Sequence, residues 1–411
     1  MSFLKKIDLV FAKIFINIIR AYQHTLSPDK GIPSLRLKWR VCSHEPHCSQ
    51  YSINVLRRYW FAHWIFKATD RVLHCTPKMN KVYDPDHYKI VFFSSAPIWT
   101  PFLEELNSDP RFEVVWVVTQ CDKPSGRGLT MCENIIKTCA KTLDNPECWN
   151  PDFIATPTKL NPEKSEEWKQ FYERLKNKEP DFLVVIAYGK IIPQAILDIP
   201  KFAPINIHGS LLPKYRWASP IQSCLLNKET ETWITIMKMD ASMDTWDMIE
   251  KLKFQIPLNR TSEDIIQKMQ ETWPKFLWNV LRKYGKRLLW EEKQDNDKAT
   301  YCEKIEKEDW LIDPFKNTLD DIYSKYRAFY IRPKVHFMLN DKRVIIEKIT
   351  VDENKFEENK NKSLFMSSLT KEGVPTKWVV DSLNPCITEI LLKPEWKKAM
   401  PRKEFLNGYL K

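Results

Sequence analysis

Glycine is scarce in this chain: 8 of 411 residues, about 2%, where roughly 7% is usual. A compact protein needs glycine for tight turns and helix ends, so other residues must stand at those places. Tryptophan, normally among the rarest residues, numbers 16. No Gly-rich phosphate loop occurs, so no ATP-driven mechanism is indicated. None of the 10 cysteines form a CxxC pair. Scattered cysteines in a chain this long suggest a reducing compartment rather than a disulfide framework. Cys42, Cys48 and Cys75, with His44 and His47, are the one cluster, and their spacing fits no standard zinc pattern. We read them as structural and expect no metal. No apolar run reaches the roughly 20 residues of a membrane span.

The length suits two to four domains, and 43% hydrophobic content suits a buried core. The net charge of +11 is uneven. Residues 1–86 carry 14 basic and 6 acidic side chains, residues 87–300 carry 29 of each, and residues 301–411 carry 21 and 18. The N-terminal excess attracts phosphates of nucleic acid or anionic lipid, although an ordinary solvated face is an equal reading.

In the first 28 residues Leu9, Val10, Ile14, Phe15, Ile18 and Ile19 interleave with Lys13 and Arg20. That is the pattern of a basic amphipathic helix, lying on a membrane surface or packed on its own domain. No small-residue cleavage site follows, which argues against a secretory signal. From Tyr88 the pattern changes. YKIVFFSS, EVVWVVTQ, FLVVIAY, PINIHGS and TWITIMKMD read as strands. Helical stretches lie near 101–107, 131–142, 164–177, 191–198, 217–227 and 262–284. This alternation predicts an α/β domain with a mostly parallel sheet. Beyond a polar linker at 291–299, the runs VHFMLN, RVIIEKITV, TKWVVDSL and ITEILL predict a small β domain, interrupted by the polar insertion DENKFEENKNK.

The sharpest local signal is Asn206-Ile207-His208-Gly209-Ser210-Leu211-Leu212-Pro213. Residues two apart on a strand share a face. Asp244 follows in the segment MDASMDTWDM. Asn, His and Asp suit acyl transfer to an amine. The amide donates to a developing oxyanion, the imidazole polarises that oxygen or moves a proton, and the carboxylate orients the imidazole or accepts the amine proton. The amine attacks directly, so no Ser or Cys nucleophile is required.

These residues, with Tyr215-Arg216 and Ala218-Ser219-Pro220-Ile221-Gln222, resemble the formyltransferases that use 10-formyltetrahydrofolate. The resemblance implies a Rossmann-like catalytic domain at 87–300 with Asn206, His208 and Asp244 as its catalytic trio. It implies Ser210, Leu211, Leu212 and Pro213 as the folate-contacting segment, and it extends to Asp181–Pro193. Three features are similar to the methionyl-tRNA branch. Thr119-Gln120-x-Asp122-Lys123-Pro124-Ser125-Gly126-Arg127-Gly128 resembles its tRNA acceptor loop, with Arg127 and Lys123 as cationic contacts. Thr300-Tyr301-x-Glu303-Lys304-Ile305 resembles the start of its C-terminal OB-like barrel, here 301–411, and Lys393–Met400 resembles the last strand. The implied partner is initiator methionyl-tRNA. The alternatives are a formyltransferase acting on another amine and a membrane-biogenesis factor whose formyltransferase half is inactive.

Residues 1–86 resemble the small YidD-like membrane protein insertion efficiency factors. The matching pieces are Ser27-Pro28, Pro46-His47-Cys48-Ser49-Gln50-Tyr51, Arg58-Tyr59, Arg71-Val72-Leu73-x-Cys75 and Tyr83-Asp84-Pro85. This implies a small helical module and a cytoplasmic protein with peripheral contact at the inner face of the membrane.

Against both families the chain departs in one way. Trp116, Trp217, Trp233, Trp246, Trp273 and Trp396 occupy formyltransferase glycine positions, and Trp39, Trp60 and Trp64 occupy YidD-like ones. A UGA codon read as glycine in the cell, but written as tryptophan, would produce this substitution. Reading all 16 as glycine brings the count to 24, about 6%, near the usual level. Genuine tryptophan in a diverged enzyme is the alternative.

Overall fold

The computed structural model describes residues 3–28, 31–35, 42, 44–58, 61–73, 75, 82–83, 85–125, 129–143, 150–160, 165–240, 245–331, 334–339, 341–366 and 382–409. They fall into two compact units. The first is Met1–Ile205 with Pro274–Trp290, and the second is Asn206–Trp273 with Glu291–Lys411.

The first unit begins with three helices, Phe3–Thr25, Cys48–Arg58 and Phe61–Leu73. Phe15 packs on Phe61 and Trp64 with ring centroids 4.9 and 5.2 Å apart. Gln23 Nε2 donates to Ser49 Oγ at 3.1 Å, tying the first helix to the second. The expected amphipathic helix is therefore present. No described helix is long and apolar enough to cross a membrane.

The remainder of this unit is α/β. Strands Phe182–Ile186, Tyr88–Ser94, Phe112–Val118 and Ile154–Ala155 lie side by side in that order, all parallel. Their near-continuous apolar runs suit strands covered on both faces, and Phe92, Phe93, Val117, Phe182 and Val184 are fully buried. Burying each such side chain contributes roughly 1.5–3 kcal/mol. The register slips between Ile90 and Val91, so Val115 has no partner and Trp116 faces Val91. Trp116 is buried and stacks on Phe171 at 5.0 Å. Its indole N–H has no hydrogen-bond partner among the described residues. Asp181 is buried at the start of its strand and accepts the Lys89 backbone N–H at 2.8 Å.

Helices Thr100–Ser108, Ile135–Thr142 and Glu166–Asn177 fall near their expected places. One boundary differs. The stretch predicted as helix from 131 begins as a strand, Thr130–Cys132. The helix starts only at Ile135, because the Asn134 side chain accepts the Ile136 N–H and caps it.

Strand Ala203–His208 carries the chain into the second unit. There Glu231–Lys238 and Met248–Gln255 pair antiparallel, with Ile234 opposite Leu252. Helix Ser262–Gly285 follows. The Asp264 carboxylate accepts both the N–H and the hydroxyl of Thr261 at 2.8 Å, which fixes its start. The C-terminal part has helix Leu319–Ala328 and an antiparallel sheet of His336–Leu339, Lys342–Val351, Ile387–Pro394 and Met400–Pro401. Among the described residues these strands form a four-stranded sheet, and Phe365–Met366 pairs with Ser382–Leu383 beside it; closure into the expected barrel is not confirmed. The polar insertion also differs: Glu353–Asn359 is helical, capped by Asp352, which accepts the Asn354 N–H. Buried Arg327 donates to the carbonyls of Arg260 and Pro257 at 2.8 and 3.2 Å, holding its helix beside the 257–264 turn.

Candidate active site

His208 ends its strand and is 7% exposed. Asn206, two residues earlier, is half-buried, while Ile205 and Ile207 are buried. His208 Nε2 lies 2.9 Å from the carbonyl oxygen of Tyr215. A carbonyl oxygen only accepts, so Nε2 carries the proton and Nδ1 is the basic nitrogen of the neutral ring.

The turn after His208 is held from below. Thr235 Oγ1 donates to the Ser210 carbonyl at 2.7 Å and accepts the Leu212 N–H at 3.4 Å. Ser210 Oγ donates to the Lys214 carbonyl at 2.7 Å. Ser210 and Leu212 are buried, and Leu211 and Pro213 are half-buried. The serine hydroxyl therefore shapes the turn, and Leu211 and Pro213 are its more accessible apolar members.

The chain then reverses through three left-handed residues, Tyr215, Trp217 and Ser219, at φ 60°, 78° and 62°. This reversal brings the Tyr215 carbonyl to His208. A left-handed tryptophan is strained by its Cβ. Trp396 at φ 63° is a second one. Both are positions where the family resemblance anticipates glycine.

Arg216, 1% exposed, anchors the same turn. Its guanidinium donates to Gln294 Oε1 at 2.9 and 3.0 Å and to Asn296 Oδ1 at 2.7 Å. Gln294 Nε2 in turn donates to the Trp246 carbonyl at 2.7 Å. Met248 and Glu292 exchange both backbone hydrogen bonds at 2.8 Å. Residues 246–248, on the C-terminal side of Asp244, are thus tied through Gln294 to the turn beyond His208. Asp244 itself lies outside the described residues. Thr235 and Gln294 were not singled out from sequence. Each is a single polar residue far along the chain, with no local motif around it.

In the first unit the segment resembling a tRNA loop is a β-hairpin. Lys123–Ser125 pairs antiparallel with Thr130–Cys132. Lys123 is exposed and donates to Gln120 Oε1 at 2.6 Å, and Arg127 lies outside the described residues. Asp122 secures the base by accepting the Asn134 N–H at 3.0 Å and Lys137 Nζ at 2.8 Å. The Lys137 hydrogen bond holds the Asp122 carboxyl below its usual range. Gln120 Nε2 donates to the Tyr188 carbonyl at 2.7 Å. The next residue, Gly189, has φ 73°, and a Cβ there would lie 2.9 Å from Gln120 Nε2. The backbone angle is what favours glycine here, since the Gln120 amide is the end of a flexible side chain.

Comparison with known proteins covers nearly the whole chain. The Formyl transferase model matches residues 88–281, and the Formyl transferase C-terminal domain model matches 304–410. The YidD model, a membrane protein insertion efficiency factor by description, matches 11–87. A methionyl-tRNA formyltransferase of Nostoc sp. is 38% identical over 249 residues, which is 59% of this chain and 69% of the relative. One of Thermodesulfovibrio yellowstonii is 32% identical over 319 residues, 78% of this chain and 95% of the relative. Among solved structures, a methionyl-tRNA formyltransferase from Clostridium thermocellum is 16% identical over 66% of this chain and 95% of its own, with a TM-score of 0.42. The chain belongs to the methionyl-tRNA formyltransferase family, with a YidD-like segment joined ahead of the formyltransferase domains.

Proposed function

We propose that this protein transfers the formyl group of 10-formyltetrahydrofolate to the amino group of initiator methionyl-tRNA. The observation that carries the chemistry is the His208–Tyr215 contact, which leaves Nδ1 as the ring's proton-accepting atom. The neutral amine attacks the formyl carbon, forming the new C–N bond. The Asn206 amide donates to the formyl oxygen as it gains charge. The amine proton passes to the His208–Asp244 pair, the bond to folate N10 breaks, and N10 receives a proton. Leu211 and Pro213 would flank the pterin, while Ser210 and Leu212 keep the turn in shape. Lys123 and Arg127 would meet the acceptor-end phosphates, and an OB-like C-terminal domain would extend that contact.

For residues 1–86 we read a peripheral contact with the inner face of the cell membrane. Val10, Ile14, Ile18 and Tyr22 recur every four residues on the first helix and are all exposed. That apolar stripe beside Lys13 and Arg20 suits an interfacial helix.

The test is formylation of methionyl-tRNA by the purified chain, with His208→Ala alongside. A second pair carries glycine at 217, 233, 246 and 396. Activity lost on His208→Ala supports the proposal. Inactivity of both parent chains on methionyl-tRNA, with turnover of an amino-sugar nucleotide, would favour the other-amine reading. No turnover of either would favour an insertion factor with an inactive formyltransferase half.

A further inference from the structure

We propose that Cys42, His44, Cys48 and Cys75 bind a structural zinc ion in the N-terminal module. Their spacing matched no standard pattern, yet the fold brings one ligand atom from each to within 4.8 Å of the others. Cys42 Sγ lies 3.5 Å from Cys48 Sγ and 3.6 Å from Cys75 Sγ. A disulfide needs about 2.05 Å. Two thiolates on a tetrahedral zinc, each about 2.3 Å from the metal, sit about 3.8 Å apart. The sulfurs are therefore spaced as ligands of a shared ion rather than as bonding partners.

The donor set is three sulfurs and one imidazole, a closed combination of the structural kind, with no position left for substrate. Soft thiolates favour zinc over magnesium or calcium. The surrounding contacts are those a zinc site requires. The Cys48 backbone N–H donates to Cys42 Sγ at 3.4 Å, the bond that stabilises a metal-bound thiolate. Cys48 opens helix Cys48–Arg58, where the helix dipole favours negative charge. Cys75 follows helix Phe61–Leu73. His44 sits in a two-residue strand paired with Val82–Tyr83. Arg71 crosses between these pieces: its Nη2 donates to the Pro46 carbonyl at 2.7 Å, and its guanidinium lies 4.0 Å from the centre of the Tyr51 ring. One ion would thus join the 42–48 segment to the ends of two helices. A cavity of about 650 Å³ reaches Cys42, Cys48 and Cys75 past Ile19 and Trp64 and gives the ion a route in.

The module is small, and small domains commonly depend on such a link. The site lies outside the formyltransferase domains, so its loss should disturb the first 86 residues first.

The experiment uses the full chain purified without chelators. Elemental analysis should find about one zinc per chain, falling below about a tenth in Cys48→Ser and in Cys75→Ser. Cys132→Ser, at an exposed thiol far along the sequence, should keep the full equivalent. Because a variant can lose zinc by misfolding, the reduced, metal-stripped wild type is also titrated with Co2+. Intense thiolate-to-cobalt absorption with tetrahedral ligand-field bands, saturating at one equivalent, is expected. Trace zinc in the wild type with no cobalt uptake overturns the proposal. So does full zinc in both serine variants, or a disulfide among these cysteines in protein taken from freshly lysed cells.

Discussion

The ring of His208 hangs from the backbone of Tyr215, 2.9 Å from Nε2 to the carbonyl oxygen, and that contact decides which nitrogen is basic. The carbonyl arrives there only because Tyr215 adopts φ 60° and the chain doubles back. Among the described residues, the orientation of the His208 ring is thus tied to a left-handed turn of the backbone.

His208→Ala should lower kcat/KM for methionyl-tRNA by about 10²–10⁴, the usual weight of a positioned acid or base. Asn206→Ala should cost about 10²–10³, appearing in kcat, if its amide serves the oxyanion. Single-turnover rates separate these effects from binding. A His208→Ala enzyme within twofold of the parent would remove His208 from the chemistry.

Gln294→Leu should strip buried Arg216 of an acceptor that takes two of its N–H groups. Leaving a buried polar or charged donor unmade costs about 1–3 kcal/mol or more. The denaturation midpoint should fall, and hydrogen exchange should rise at residues 245–248, whose tether through Trp246 is lost. An unchanged exchange pattern there would show that Gln294 does not hold the loop.

Trp396→Gly should raise the unfolding midpoint. Relief of the left-handed strain, about 1–2 kcal/mol, exceeds the entropic cost of glycine, about 0.5–1 kcal/mol. Trp217→Gly should be nearly neutral, because it also forfeits the ring contact with Tyr301 at 4.6 Å, worth about 0.5–1.5 kcal/mol. Trp290→Gly, an exposed position absent from the left-handed set, should be mildly destabilising. The gene supplies an independent check: UGG codons at 217, 233 and 246 would show the tryptophans to be genuine.

Thiol labelling should be strongly selective. Burial pushes the Cys139 thiol up to about 12 and the Cys224 thiol up to about 11, while Cys132 is exposed. At pH 8 Cys139 is then only about one part in 10⁴ thiolate. Brief alkylation of the native chain, read by peptide mass spectrometry, should modify Cys132 and spare Cys139 and Cys224. Their reactivity should grow as pH rises toward those values. Equal labelling of all three would mean that the folded chain opens around them.

Much of this protein was determined by its sequence alone. Apolar runs such as Tyr88–Ser94 and Phe182–Ile186 can be satisfied only by burial on both faces, so the parallel strands were readable from them. Asn206 and His208 share a face because a strand repeats every two residues. The misplaced tryptophans were visible as letters, and two of them carry the backbone angle that glycine takes freely. Local periodicity is recorded in neighbouring residues, which is why these features could be read. Tertiary structure alone decided what depends on distant chain segments meeting. It brought Gln294 to Arg216 and Thr235 under the turn at Ser210, and drew Cys75 to Cys42 across 33 residues. No spacing rule encodes those meetings, since each is set by how whole helices and strands pack.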